Sequence, residues 1–173
     1  MATNALQDLK LIAEAFYEGV GEHLIESLAA ALGKTTGIDF ILAGQFARDR
    51  RGRIRTLAVW KQGSAGEGLV YDLESVPDAG LFRQPQRGLT QAEVRQLLPA
   101  GHGPESAGMN SAVGTLLADS LGRPLGVLLG AHSGPIRQRE RCRYLFEILG
   151  SRMASELERM QFDEQTLDQI APG

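Results

Sequence analysis

The sequence has one cysteine, Cys142, among its 173 residues, which excludes a framework of disulfide bonds within the chain. A lone cysteine is typical of a reducing compartment and predicts a cytoplasmic location. No apolar run approaches the ~18 residues that span a bilayer, and the N-terminus has no basic flank followed by an apolar segment. The sequence therefore predicts neither a membrane partner nor secretion.

The sequence also lacks a large excess of charge of either sign. Lys and Arg together number 18 and Asp and Glu 21, so the formal net charge is −3, and the two signs are mixed along the chain. A nucleic-acid partner needs a clustered basic surface, which this balance argues against. The one basic run, residues 48–55, contains Gly52 and lies between apolar segments, which favours a solvated hairpin turn.

The spacing of ligating residues that a metal site requires is absent as well. His23, His102 and His132 are far apart in the sequence, with no pair at a spacing such as H-x-x-x-H. His132 ends an apolar run and is therefore a candidate ligand-binding residue. The alternative is an ordinary hydrogen-bonded histidine at the end of a strand.

Apolar residues at helical spacing begin and end the chain. Residues 6–32 carry a stripe that Gly19 and Gly21 interrupt, which predicts either one long helix with a soft point or two helices that meet near Gly19. Gly33 is expected to end this segment. A second stripe, from Leu145 to Met160, predicts a long C-terminal helix.

Two pairs of strands are predicted between these helices. Residues 38–46 and 54–61 are expected to form one hairpin, and residues 112–119 and 125–132 another. Neither strand of the first pair alternates cleanly between apolar and polar residues, as is typical of strands covered on both faces.

The last of these strands contains glycines that need an explanation. Its two faces are expected to carry Leu125, Val127, Leu129 and Ala131 on one side, and Gly126, Leu128, Gly130 and His132 on the other. Glycine weakens a strand unless something approaches its backbone closely. The second face is therefore expected to receive either a packed helix or a bound small molecule.

Residues 62–110 have a weak pattern, with many glycines and prolines. One short helix is expected at residues 90–98, where Thr90 and Glu93 would form a capping box and Pro99 would follow the helix end. An irregular segment of this length inside a compact domain is usually functional or mobile, and it is expected on one side of the sheet.

Four segments in this order resemble the GAF domains of bacterial sensor proteins: RIRTLAVWKQG at 53–63, YDLESVP at 71–77, GTLLADSLGRPLGVLLGAHSGPI at 114–136 and RMASELERM at 152–160. The resemblance implies an α+β fold of GAF-like, PAS-related type. Its central antiparallel sheet would carry the N- and C-terminal helices on one face and the loop-rich segment on the other. The GAF domain would span residues 15–160, between a helical extension at 1–14 and a helical tail or linker at 161–173.

The same resemblance implies a non-catalytic sensory or regulatory domain that binds a small ligand and forms homodimers through its terminal helices. A fused or separate signalling effector would be its partner. Because GAF domains bind very different ligands, the resemblance assigns no cofactor. One alternative is a ligand-free dimerisation or protein-interaction domain of a larger signalling protein.

A second alternative is a thiol-dependent enzyme that uses Cys142, since the free methionine sulfoxide reductases share this fold and work through cysteines. The neighbouring Arg139, Arg141 and Arg143 could lower the pKa of the thiol. The chain has no second thiol to resolve an oxidised Cys142, which argues against that activity. A covalently attached bilin needs a cysteine near the pocket, and it is not expected here because Cys142, the one cysteine, is predicted near the start of the last helix.

A ligand pocket is predicted from apolar side chains and a few polar groups that the sheet and the irregular segment supply. The alternative is that the aromatic members and Met109 simply close a second core. The predicted pocket residues are Trp60, Tyr71, Phe82, Met109, Asn110, Ser111 and His132.

Overall fold

The computed structural model describes residues 2–17, 19–47, 52–73, 88–99 and 110–170, with residues 2–5 and 166–170 described by their backbone alone. The helices in this part of the chain are α1 (Ala2–Phe16), α2 (Glu22–Thr36), α3 (Gln91–Leu97) and α4 (Arg139–Ile170). The strands there are β1 (Phe40–Phe46), β2 (Arg53–Lys61), β3 (Ser64–Ala65), β4 (Val70–Asp72), β5 (Ser111–Ala118) and β6 (Pro124–His132).

The strands form one antiparallel sheet in the order β3–β2–β1–β6–β5, with β4 also paired to β2. Strand β1 lies at the centre, where Ile41 is opposite Trp60 of β2 and Gly130 of β6. Both predicted hairpins are confirmed, since β1 pairs with β2 and β5 with β6. Residues 48–51 of the predicted basic turn lie outside the described residues.

Both faces of the sheet are covered. Helices α1, α2 and α4 pack on one face, where Leu28 and Phe146 belong to a first core with Ile41 of β1. Helix α3 packs on the other face, where Val94 belongs to a second core with Leu42 of β1. The terminal helices and the segment around α3 therefore lie on opposite faces, which confirms the predicted architecture.

The N-terminal stripe forms two helices. The turn between them contains Gly19 and Gly21, both with positive φ (79° and 66°), a conformation that glycine adopts without steric cost. Gly33 does not end α2, contrary to expectation: the helix continues to Thr36, and Gly37 caps it in the left-handed conformation. Gly33 instead gives the Trp60 indole room, because a Cβ at this position would lie 2.2 Å from Trp60 Nε1.

The glycines of β6 have separate steric roles. A Cβ on Gly126 would lie 2.0 Å from the backbone oxygen of Gly44 in β1, and a Cβ on Gly130 would lie 2.7 Å from Cζ of Phe146 in α4. At Gly130 a helix, and not a small molecule, thus occupies the surface that the glycine leaves open. The predicted alternation is wrong at Leu125, which joins the first core near a register irregularity at Leu117 and Ala118.

Helix α3 begins as its sequence predicts. The Thr90 hydroxyl oxygen accepts a hydrogen bond from the Glu93 N–H at 3.2 Å, and Glu93 Oε1 accepts one from the Thr90 N–H at 2.9 Å. This capping box satisfies two backbone donors at the helix start, so the short helix keeps a defined end.

Candidate functional site

Trp60 lies on the face of the sheet that carries the terminal helices. Its side chain is buried in the first core, beside Gly33 of α2, and Lys34 Nζ lies 5.9 Å from the ring centroid. An ammonium at this distance interacts favourably with the face of an indole. The Trp60 side chain therefore packs between α2 and the sheet.

Tyr71 lies on the opposite face. It packs against the second core, and its hydroxyl donates a hydrogen bond of 2.8 Å to the Leu97 carbonyl at the end of α3. Burial raises the pKa of the Tyr71 phenol. The predicted enclosure of one ligand by both Trp60 and Tyr71 is thus corrected, because the sheet separates them.

We expect Tyr71→Phe to lower the free energy of unfolding by about 1 kcal/mol, since the Leu97 carbonyl loses its donor. For a chain of this size, that loss corresponds to a fall of roughly 2–4 °C in the thermal midpoint. Calorimetry would measure it. Tyr144→Phe is the matched control, because the Tyr144 side chain is exposed. Equal midpoints for the two variants would contradict a role for the Tyr71 hydroxyl in holding α3.

Asn110, Ser111 and His132 meet at one end of the sheet. Ser111 is the register partner of His132, and the Asn110 N–H donates to the His132 carbonyl at 2.9 Å. The Asn110 side-chain amide donates to the Ser133 carbonyl at 2.8 Å. Arg95 of α3 donates to the Asn110 carbonyl at 3.2 Å, so this junction also connects to α3.

Two further residues belong to the junction although the sequence analysis did not select them. The Asp39 N–H donates to His132 Nδ1 at 3.3 Å, and the Ser133 hydroxyl donates to Asp39 Oδ2 at 2.7 Å. Asp39 directly precedes β1, and the pairing of Phe40 with Ala131 brings it beside the end of β6. The local sequence does not reveal this pairing of β1 with β6, so it gave no reason to select Asp39. These bonds favour the interpretation of His132 as a hydrogen-bonded strand-end histidine.

The remaining predicted pocket residues, Phe82 and Met109, lie outside the described residues. The structure thus brings Asn110, Ser111 and His132 together and places Tyr71 and Trp60 elsewhere. A ligand-binding role for these residues stays a prediction.

The charge of Asp39 should make the junction sensitive to acid. The hydrogen bond from the Ser133 hydroxyl is the main cause that lowers the pKa of Asp39; burial opposes it, while the Ser133 N–H and His132 act in the same direction. Because the folded-state pKa is lower than the unfolded one, the carboxylate stabilises the fold above about pH 4, and this contribution is lost as the pH falls through the folded-state pKa.

We therefore expect the difference in unfolding free energy between the wild type and Asp39→Asn to be largest near neutral pH and to shrink toward about pH 3. Urea denaturation of both proteins across this range measures it. A difference that is independent of pH would show that the Asp39 charge does not stabilise the junction.

The clefts on the described surface include the following two. The larger, of about 500 Å³, lies between β5 and α4 and is lined by hydroxyls and by three carboxylates, Asp119, Glu147 and Glu158. Two of these carboxylates already have internal partners, since Asp119 accepts from Arg123 and Glu158 from Ser120. The smaller cleft, of about 290 Å³, lies between α2 and β2. Among the described pocket candidates, Trp60 alone contributes to these clefts.

Cys142 lies inside the first core and not at a surface. Its thiol is buried and donates to the Arg137 carbonyl at 3.6 Å. Burial raises the pKa of Cys142 and outweighs Arg141 and Arg139, which act in the opposite direction. A reactive thiol needs both access and a lowered pKa, so this environment favours an inert structural cysteine.

Within the described ranges, no group of three or more His, Cys, Asp or Glu residues is placed to hold a metal ion. None of the helices described there combines the length and apolar character needed to cross a membrane.

No protein-family model matches the sequence, and no curated protein matches it either. Two solved structures of bacteriophytochrome RpBphP3 from the photosynthetic bacterium R. palustris are similar to the chain. The bacteriophytochrome structure has a TM-score of 0.63 at 14% identity and is matched over 94% of this chain and 40% of its own. The structure of its chromophore-binding domain has a TM-score of 0.68 at 12% identity, over 94% of this chain and 63% of its own.

The chain therefore spans less than two thirds of either structure. At this level of identity the similarity concerns the fold, and it confirms at that level the GAF-like α+β architecture that the sequence motifs predict.

Proposed function

We propose that this chain is a non-catalytic sensory or regulatory domain that binds a small ligand and signals through dimerisation of its terminal helices. The observation that carries the proposal is an apolar stripe on α1 and the turn after it. Its members are 64–89% exposed, although the domain buries two apolar cores elsewhere. We name this surface the α1 stripe; it consists of Leu6, Leu9, Tyr17 and Val20.

Several large apolar side chains exposed along one helix and the turn after it are typical of a protein–protein contact. Helix α1 belongs to the helical layer that also contains α2 and α4, and an ion pair between Asp8 and Arg141 joins α1 to α4. Two copies that pair through their α1 stripes would bring these layers together, and a shift of one helix would then reach the other copy. This arrangement supports a homodimer whose terminal helices transmit the signal.

The ligand is proposed to bind near the junction of Asn110, Ser111 and His132. Polar groups converge there on the ends of β5 and β6, and Arg95 connects the junction to α3. A structurally similar domain of bacteriophytochrome binds a chromophore, so a fold of this shape is compatible with a bound small molecule. A ligand that prefers one arrangement around α3 would shift the population of arrangements.

The proposal is tested by purifying the protein from its native host and identifying co-purified small molecules by mass spectrometry. A specific ligand, added back at about 100 times its Kd, should raise the unfolding free energy by about 2.7 kcal/mol. Light scattering over a range of concentrations tests the dimer independently. A monomer at high micromolar concentration would refute signalling through dimerised helices.

The α1 stripe also supports a second candidate, a ligand-free dimerisation or protein-interaction domain. This second candidate predicts the same dimer, but no co-purified molecule and no change in the thermal midpoint when small metabolites are added. Binding calorimetry therefore distinguishes the two candidates.

A further inference from the structure

The segment RMASELERM at 152–160 contains an ionic network around one buried carboxylate. Glu156 is 3% exposed, and it is the one charged residue that is buried in the described part of the chain. Arg152 and Arg159, on the same helix α4, both donate to its carboxylate, at 3.5 Å from Arg152 Nη1 and 3.2 Å from Arg159 Nε. A buried carboxylate needs such partners, because an unpaired charge is costly inside a protein.

Glu156 also reaches the turn between α1 and α2. The Gly21 N–H donates to Glu156 Oε1 at 2.6 Å, across 135 positions of the sequence. Gly21 is the N-cap of α2 and has no side chain to cap the helix. The carboxylate of α4 thus lies at the N-terminus of α2, where the helix dipole favours a negative charge.

The turn that Glu156 binds connects α1 to α2, and we call its residues Gly19–Gly21 the α1–α2 joint. Gly19 and Gly21 both have positive φ and leave the backbone freer than any other residue would. The α1 stripe ends in this joint, with Leu6, Leu9 and Tyr17 before it and Val20 within it. The angle between α1 and α2 therefore decides where the stripe points.

We propose that Glu156 couples α4 to the α1–α2 joint, so that α4 fixes the position of the α1 stripe and a displacement of α4 moves it. This inference rests on the proposed function, in which the terminal helices carry the signal. Glu156 acts as a positioning residue: its Gly21 bond orients the joint, and Arg152 and Arg159 keep its carboxylate in place.

The test is amide hydrogen exchange, followed by mass spectrometry, on the full chain and on Glu156→Ala and Glu156→Gln. In Glu156→Ala the amides of α1 and of the joint should exchange about tenfold faster or more, while those of β1 and β6 change by less than about twofold. Glu156→Gln keeps an acceptor for Gly21 but loses the charge, so its effect should be intermediate. This milder variant decides the question if Glu156→Ala does not fold.

Glu158→Gln is the matched control. Glu158 lies two residues further along α4 and also accepts a backbone N–H from a distant segment, that of Ser120. The loss of the Glu158 charge should weaken this hydrogen bond, speed exchange near residues 119–123 and leave α1 unchanged. Unaltered α1 exchange in both Glu156 variants, or an equal rise over the whole sheet, would overturn the coupling.

Light scattering of the same samples separates this inference from the proposed function. If the wild type is a monomer and α1 loses protection in the Glu156 variants, the coupling is supported and the dimer is rejected. If the wild type is a dimer and α1 keeps its protection in the Glu156 variants, the dimer is supported and the coupling is rejected.

Discussion

Gly126→Ala is expected to lower the free energy of unfolding by at least ~3 kcal/mol, because the new methyl group would lie 2.0 Å from the Gly44 backbone oxygen. Gly44 lies opposite Val127 in the pairing of β1 with β6, so relief of the clash requires the two central strands to separate. No side-chain rotation can provide that relief. The thermal midpoint should fall by roughly 6–12 °C.

Alanine substitutions at two other glycines are expected to destabilise the fold less. A Cβ on Gly130 would meet the Phe146 ring at 2.7 Å, and a ring can shift, so Gly130→Ala should cost less. Gly134 is the matched control, because no heavy atom lies within 4 Å of a Cβ built there. Thermal unfolding of the three variants should give the order Gly126, Gly130, Gly134 from most to least destabilised. A Gly126→Ala protein as stable as Gly134→Ala would contradict the close approach of β1 and β6.

The double variant Leu6→Glu, Leu9→Glu is expected to weaken the proposed dimer by at least ~100-fold in Kd. The variant removes two apolar side chains from the proposed contact and places two unpaired carboxylates on a surface that would be desolvated, and a cost of about 2.8 kcal/mol already corresponds to 100-fold in Kd. Both side chains are exposed in the single chain, at 73% and 64%, so secondary structure should be unchanged. Analytical ultracentrifugation and circular dichroism measure the two effects.

Leu121→Glu is the control for this variant. Leu121 is 76% exposed, but it lies in the turn between β5 and β6 and not on the α1 stripe. A dimer that dissociates equally in both variants would place the interface elsewhere or attribute the loss to charge alone. A double variant that remains dimeric would reject the α1 stripe as the contact surface.

Local features of the fold were predictable where neighbouring residues decide them. The capping box of Thr90 and Glu93 involves residues three apart, so its hydrogen bonds follow from the sequence. The end of α2 was not predictable in this way, because both Gly33 and Gly37 are suitable helix terminators. The indole of Trp60, which packs beside Gly33, explains the glycine at that position, and Trp60 is distant in the sequence.

The candidate site shows the same division. Ser111 and His132 lie at the ends of two strands of one hairpin, and their proximity follows from the hairpin itself. Asp39 joins them because β1 pairs with β6, which no local pattern reveals. Trp60 lies in the apolar run of residues 57–60, where periodicity gives no preference for either face.

The sequence by itself determined the types and order of the main elements and the burial of both sheet faces, because helical spacing and apolar runs report burial through nearby residues. Only the tertiary structure decided that Trp60 and Tyr71 lie on opposite faces, that Phe146 covers Gly130, and that Glu156 binds the α1–α2 joint. The physical reason is that a pattern records which side chains leave water, while strand pairing and helix packing select the partners that they meet.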